Sequence, residues 1–463
     1  MYKHLLVDKL HISLHGGTLS EEGRGRPVTY LPQKPDAPFL VPDKPWESRQ
    51  LNWVSMLVED GLYRVWYEAF DNDSTHDCEC RLCYAESRDG KSWVKPELGL
   101  KEYNGSRANN IVVDSATVGG MGIHGHSIFI DPTAPPKARY RCVFLGILKD
   151  PNGKGGMLNV MSYAYSADGI VWHHGDPELP NDFLHYPFLP FGSDTQCSVF
   201  WDPGLRKYVG YFRAWHTTGA RSIARSETND LRNWPMPRII LSPDLSDPQL
   251  TDYYNCAASR YRSDDETLYF LFYSMFDHDT QKCYPRVAVS RDGEHFDRVD
   301  RKNFLENDRD FDAGMIFVGP GIHDIGNGEC AIVYNGSNWD HGEHDVVGRP
   351  GGSVMVRFPK DRLVGIGTES FYNFTLDGWV DPQDPEVYVN ADVKGRLRAA
   401  LIVNGRYLEG FGPDDCEPLS GDLRDAKVTW KGAPTDAREA CLKIFLEDGV
   451  IFSATVNRRE ELD

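Results

Sequence analysis

The string Ser-x-Asp-Gly-x-x-aromatic limits what this chain can fold into more than any other feature. It occurs as Ser87-Arg88-Asp89-Gly90 with Trp93, as Ser166-Ala167-Asp168-Gly169 with Trp172, and as Ser290-Arg291-Asp292-Gly293 with Phe296. A looser copy runs from Ser226 through Asn229-Asp230 to Trp234. Asp-Gly supplies the positive-φ positions of a tight turn, and the aromatic that follows packs the outer strand of a hairpin back onto its sheet. Alternating strands precede the copies, such as Leu82-Cys83-Tyr84-Ala85-Glu86-Ser87 and Arg286-Val287-Ala288-Val289-Ser290. The serines stand 79, 60 and 64 residues apart (87 to 166, 166 to 226, 226 to 290). That interval suits one four-stranded blade per copy, with loop insertions.

Upstream of each box an inner strand is followed by a strongly apolar one. The pairs are 52–57 with 63–67, 127–130 with 140–144, 198–201 with 208–212, and 256–259 with 268–272. A fifth pair, 315–318 with 330–334, lacks the box. Five inner strands predict five blades. From residue 361 the texture changes: segments 386–393, 396–403, 427–430, 440–446 and 450–456 alternate without box or aromatic pairing, as sandwich strands do. The expected fold is all-β, a five-bladed β-propeller over 1–360, with 1–40 as an N-terminal extension, followed by a β-sandwich over 361–463.

Composition agrees, with 43 Gly and 29 Pro for turns and 22 Tyr, 22 Phe and 11 Trp for short, well-packed strands. The net charge of −19 argues against nucleic acid or an anionic membrane as partner, because binding a polyanion needs clustered Lys and Arg, and it favours a neutral or cationic ligand. The N-terminus has no uninterrupted apolar stretch, and no segment is apolar enough to span a bilayer, so the expectation is an unanchored, cytoplasmic chain. Ten scattered cysteines read as reduced thiols buried in strands. Cys78, Cys80 and Cys83 lack a second Cys or His pair at zinc-finger spacing, and they too read as strand thiols.

Several strings resemble the five-bladed propeller superfamily of family 32 and family 43 glycoside hydrolases, and within it bacterial family-32-like proteins that carry a C-terminal sandwich. They are Leu6-Val7-Asp8, Pro42-Asp43-Lys44-Pro45-Trp46-Glu47, Trp66-Tyr67-Glu68-Ala69, the run from Cys83 to Gly90 with Trp93 and Lys95-Pro96-Glu97-Leu98-Gly99, Asp131-Pro132, Phe311-Asp312-Ala313-Gly314-Met315 and Val389-Asn390-Ala391-Asp392. The chain departs from invertases and fructanases in having no Asn-Asp-Pro-Asn-Gly in the first blade and no Arg-Asp-Pro in the second. Glu329-Cys330 opens a second strand of blade five rather than an inner strand, so it does not match their acid motif.

Propeller sites form where the inner strands begin, since those starts converge on one mouth of the central channel. Aligned inner strands place Glu47, His124 or His126, Asp194, Asp252 and Asp312 there. Second strands run antiparallel and return to the same mouth, adding Glu68 and Asp71, Arg213 with Trp215 and His216, Tyr273 with Asp277, and Asn338 with Trp339, Asp340 and His341. The expected pocket is acidic and aromatic, with one Arg. Carboxylates accept sugar hydroxyls, and aromatic faces pack on sugar rings. The box residues Asp89, Asp168 and Asp292 are expected to serve only their turns.

The resemblance implies hydrolysis of a terminal sugar from an oligosaccharide. Asp194, Asp252, Asp312 and Glu68 would be the catalytic carboxylates, with Glu68 as the acid and Asp194 and Asp312 as base and as pKa-tuning or sugar-anchoring groups. Glu47, Asp71, His126, Arg213, Trp215, His216, Tyr273 and Trp339 would bind substrate. Two alternatives stay open: phosphorolysis or transglycosylation, with Arg213 and histidines holding phosphate, and a sugar-binding propeller without catalysis. No organic cofactor is required, and ligand hardness allows Ca²⁺ among axial carboxylates.

Overall fold

The computed structural model describes residues 1–8, 10–13, 25–74, 79–118, 122–149, 157–177, 191–343, 345–432 and 435–457. Within them the chain is nearly all β, with one α-helical turn at Ser115–Val118 and 3₁₀ turns at Pro45–Glu47 and Pro136–Ala138. Three short strands come first: β1 (Tyr2–Leu5), β2 (Ile12–Ser13) and β3 (Arg26–Thr29).

Five antiparallel units follow. Unit one is β4 (Gln50–Glu59), β5 (Leu62–Phe70), β6 (Arg81–Ser87) and β7 (Ile111–Val113); unit two is β8 (His124–Ile130), β9 (Tyr140–Lys149), β10 (Met157–Ser166) and β11 (Trp172–His174). Unit three is β12 (Ser198–Asp202), β13 (Lys207–Trp215), β14 (Arg221–Thr228) and β15 (Arg238–Leu241). Unit four is β16 (Thr251–Ser263), β17 (Glu266–Asp277), β18 (Cys283–Ser290) and β19 (Asp297–Arg298). Unit five is β20 (Met315–Val318) and β21 (His323–Gly326), both on one side of β22 (Glu329–Ser337), with β23 (Gly351–Pro359) on the other. A single parallel pair, Cys283 with Met315, joins units four and five into one sheet. Leu40 bridges Ser353 on the outer side of β23, so the segment before unit one extends the edge of unit five.

Apolar clusters lie between the units, because strands such as β5 bury residues on both faces. Trp66, Leu82 and Tyr84 of unit one meet Ile128, Cys142 and Phe144 of unit two. Phe129, Val143 and Tyr163 meet Val199 and Phe212 of unit three. Val209 and Tyr211 meet Tyr253 and Leu271 of unit four, and Phe270 and Val287 meet Ile316 and Ile332 of unit five. Ala331, Val333 and Met355 of unit five meet Val54, Met56 and Tyr67 of unit one.

The boxes form one repeated turn. Ser87, Ser166 and Ser290 each accept, at the hydroxyl, the amide of the box glycine at 2.9 Å, while Asp89, Asp168 and Asp292 each accept two amides of the residues that follow. In the looser copy it is Thr228 whose hydroxyl takes the amide of Asp230, at 3.0 Å. The turns also fasten one unit to another. Trp66 Nε1 donates to Gly169 O at 2.7 Å, Tyr211 OH to Gly293 O at 2.8 Å, and Arg357 Nη2 to Gly90 O at 2.9 Å.

After unit five come β24 (Val364–Leu376), β25 (Val387–Val403), β26 (Arg406–Tyr407), β27 (Leu419–Lys427) and β28 (Cys441–Val456), which with β1, β2 and β3 make an eight-stranded sheet bent over its own apolar core. Bulges bend the long strands near Thr368, Asn390 and Val393. β1 pairs with β28, and β2 and β3 pair with β24, so the N-terminal strands belong to this sheet. Asp361 ties it to unit four, accepting Tyr261 OH at 2.6 Å and Lys3 Nζ at 3.0 Å. Nine cysteines fall within the described residues, and all nine are free. Among the described residues no helix is long and apolar enough to cross a membrane.

Candidate active site

A cavity of about 590 Å³ opens where the first strands of the units begin. β4 supplies Asn52 and Trp53, β8 supplies His124, β16 supplies Tyr254 and β20 supplies Phe317, while Asp194 stands on the approach to β12. The hairpin register sets Arg221 opposite Trp215, so the turn from β13 to β14 delivers Arg213 and Arg221 to the same mouth. Trp339, His341 and Glu343 come from the chain that leaves β22.

The floor is aromatic. Trp53 and Tyr254 pack on Phe317 at 4.8 and 5.5 Å between ring centres, and His341 Nε2 lies 2.8 Å from Tyr254 OH. Trp53 sits at a bulge in β4 with φ 28°, an unfavourable backbone for a bulky side chain, and its buried indole N–H has no partner among the described residues. Strain of this kind costs on the order of 1–3 kcal/mol and persists only where its surroundings over-determine it, typically at functional sites.

The charge is mixed rather than acidic. Arg49, Arg213 and Arg221 line the cavity, against the carboxylates of Asp194 and Glu343. Arg213 is 2% exposed and ion-pairs with Asp194, whose side chain is 58% exposed. Burial pulls the Arg213 guanidinium below its usual pKa; Tyr254, 4.8 Å under its plane, opposes this, and the Arg221 charge adds to it. Arg213 Nη1 is buried without a hydrogen-bond partner among the described residues. Arg221 is held by Asp252, which accepts Nη1 at 2.5 Å and the Arg221 amide at 3.0 Å.

Behind the wall lies a carboxylate hub. Glu68 is fully buried: Oε1 accepts the Gly125 amide at 2.7 Å and lies 3.1 Å from His126 Nδ1, and Oε2 lies 2.9 Å from His124 Nδ1. Burial alone would raise its pKa, but the charge and hydrogen bonds of the two histidines outweigh that and hold it at about 2. Gly125 makes the hub possible. Its φ of 61° turns its amide toward Glu68, and a Cβ there would stand 2.3 Å from Thr195 O.

The structure places several of the expected residues away from the cavity. Glu68 does not line the cavity; it is buried against His124, His126 and the Gly125 amide. Asp312 is 0% exposed and does not line the cavity; it accepts Lys34 Nζ at 2.7 Å and Tyr334 OH at 2.8 Å. Asp252 does not line the cavity; it holds Arg221 and lies 2.9 Å from His278 Nε2. Glu47 is buried against Lys95 and Tyr67, both at 2.6 Å, and Asp71 against Arg81 at 2.9 Å. Tyr273 packs on Tyr253 between units three and four, and His216 caps its own hairpin through Thr218. His126 stands in the hub rather than in the cavity. Trp215 lies at the edge, exposed, with Arg221 stacked 4.8 Å from its ring. Of the expected groups, Asp194, Arg213, Trp339, His341 and His124 do meet there. Trp53, Arg221, Tyr254, Phe317 and Glu343 are additions. The readable signal for Arg221 was the first residue of the strand after Trp215, one hairpin step beyond Arg213.

No protein-family model matches the chain, and no curated protein matches it. Similar solved structures include a glycosyl hydrolase from Bacteroides ovatus, 16% identical with a TM-score of 0.49 over 71% of this chain and 94% of that one. Another is an N-acetylgalactosamine deacetylase from F. plautii in complex with blood group B trisaccharide, at 13% and 0.47 over 72% and 96%. A third is sucrose-6-phosphate hydrolase from Lactobacillus gasseri, at 10% and 0.42 over 86% and 91%. At these values the likenesses assign no activity to the chain.

Proposed function

We propose that the five units form a five-bladed β-propeller followed by a β-sandwich, and that the chain is a glycoside hydrolase acting on an oligosaccharide in the cavity where the first strands begin. The apolar clusters that join each unit to the next, and unit five to unit one, support the first part. The observation that carries the second is an exposed carboxylate, Asp194, fixed by buried Arg213 beside the faces of Trp53, Tyr254 and Phe317.

Hydrolysis needs one carboxylic acid to protonate the leaving oxygen and one carboxylate to act as base or nucleophile. Among the described lining residues the carboxylates are Asp194 and Glu343, and we assign the pair to them. Aromatic faces hold the sugar ring, and His341 and Asn52 offer hydrogen bonds to hydroxyls. A reducing-sugar screen across diverse oligosaccharides tests this. Asp194→Asn and Glu343→Gln should each lower turnover by about 10²-fold or more, the scale of removing a general acid or base. Full activity in both variants refutes the assignment, and tight binding without turnover by the natural chain makes it a sugar-binding protein instead.

One observation favours a second reading. Arg213 Nη1, buried and unpartnered, beside Arg221 and on a cavity also lined by Arg49, suits an oxyanion, so phosphate could replace water as the attacking group. Product analysis with and without phosphate separates the two readings, since phosphorolysis yields a sugar phosphate.

A further inference from the structure

Beneath the cavity wall three metal-ligating groups of different chemistry come together. Glu68 belongs to β5, Cys80 precedes β6, and His124 opens β8, so the trio spans units one and two. A carboxylate oxygen, the thiol sulfur and a ring nitrogen all lie within 4.8 Å of one another, and all three residues are buried. Bonds of about 2.0–2.3 Å to a tetrahedral ion place ligand atoms roughly 3.3–3.8 Å apart, so the trio closes on an ion with small side-chain movements.

The partners behind the ligands set what loading must change: Cys80 Sγ–H donates to Ile123 O at 2.7 Å, a bond that breaks as the sulfur turns to the ion. His124 Nε2 lies 3.3 Å from Asp194 O, an acceptor, while Nδ1 faces Glu68 Oε2. A protonated ring donates to both, and a neutral one to only one of them. With an ion on Nδ1, the remaining Nε2–H donates to Asp194 O, and both nitrogens are satisfied. Glu68 Oε1 is held by the Gly125 amide and faces His126 Nδ1, which leaves Oε2 for the ion. Such outer partners fix ligand orientation and are a usual part of metal sites.

Charge points the same way. A divalent ion with one thiolate, one carboxylate and a neutral imidazole forms a set of zero net charge, which suits a buried position. A thiolate with an imidazole and a carboxylate selects a borderline metal such as Zn²⁺ over Ca²⁺ or Mg²⁺, which take oxygen ligands. The sequence allows an axial Ca²⁺, which converging carboxylates would hold. Asp252, Asp312 and Glu47 instead engage Arg221, Lys34 and Lys95. Cys78 lies outside the described residues.

We propose that Glu68, Cys80 and His124 bind one Zn²⁺ at the base of the cavity. Loading converts the Cys80 thiol to thiolate and frees His124 Nδ1, so any proton on either leaves as the ion enters.

The test uses the full chain, stripped with chelator and titrated with Zn²⁺ or Co²⁺. One Zn²⁺ per chain is expected by elemental analysis, and Co²⁺ should give the near-ultraviolet thiolate-to-cobalt charge-transfer band, lost in Cys80→Ser. Substoichiometric metal, or a band that survives Cys80→Ser, overturns the proposal. If Cys80→Ser fails to fold, His126→Gln decides. It touches the ion only through Glu68, and loss of such an outer partner typically weakens metal affinity about 10–100-fold. Unchanged Zn²⁺ affinity in that variant refutes the site. None of these readouts depends on sugar turnover, so the metal site and the hydrolase reading fail separately.

Discussion

Gly125→Ala probes the seam between units two and three, and Gly105→Ala is its control. Both glycines have positive φ, 61° and 81°. A left-handed backbone costs an alanine roughly 1–2 kcal/mol, and that cost is common to both. Around Gly105, in the Asn104-Gly105 turn, a Cβ would meet nothing within 4 Å. At Gly125 it would stand 2.3 Å from Thr195 O, 2.6 Å from Thr195 C and 3.0 Å from Gln196 N, all backbone atoms that cannot rotate aside. Overpacking typically costs about 1–3 kcal/mol. Relief by moving β8 strains two further bonds, Gly125 N to Glu68 Oε1 at 2.7 Å and Cys197 N to Gly125 O at 3.1 Å. An unmade buried bond costs about 1–3 kcal/mol, though either relaxation partly replaces the other, so the excess over the control should be on the order of 2–4 kcal/mol. Urea unfolding followed by tryptophan fluorescence measures it as a midpoint difference at equal slope. Equal midpoints for the two variants would refute the reasoning, since they would mean that contact with Thr195 adds nothing to the backbone cost.

Asp312→Asn should lower stability by about 2–3 kcal/mol, somewhat under the usual penalty for breaking a buried ion pair because Lys34 keeps Asp308 at 2.6 Å. The same substitution at Asp194 keeps an oxygen facing buried Arg213 but removes the charge, and should cost about 1–3 kcal/mol; denaturant midpoints check both. Tyr211→Phe removes the donor to Gly293 O at the seam between units three and four and should cost about 1–3 kcal/mol while leaving Zn²⁺ stoichiometry unchanged. An unchanged midpoint would mean that the box turns do not fasten the units.

The fold was readable where its causes are local. Ser87, Ser166 and Ser290 make the same bonds because the turn needs only a hydroxyl, an aspartate and a residue tolerant of positive φ at fixed offsets. The pairing of an inner strand with an apolar one also found unit five, which has no box. Partners distant in sequence were not readable. Nothing in residues 2–5, read only as part of an N-terminal extension, names Ser453 to Val456 as their neighbour rather than a strand of unit one. The box turns were read as outer-edge hairpins. Their bonds to Trp66, Tyr211 and Arg357 of other units depend on how the sheets stack, which no single turn encodes.

The candidate site was legible as a place and less so as chemistry. Strand direction alone puts the starts of first strands and the ends of second strands at one mouth, and Asp194, Arg213 and Trp339 are there. Which way a side chain points near a strand end depends on one residue of register, and bulges shift that register. The bulge between Asn52 and Val54 presents Trp53 to the cavity against simple alternation. Asp312 turns instead toward Lys34, a partner 278 residues away. Net charge misleads for a related reason. It counts the whole surface, while a ligand meets only the wall, where three arginines stand with two carboxylates in a chain of net charge −19. A preference for neutral or cationic ligands therefore does not follow from the total. Buried Arg213, with one nitrogen unpartnered, gives an anionic or strongly hydrogen-bonding group on the ligand the most to gain.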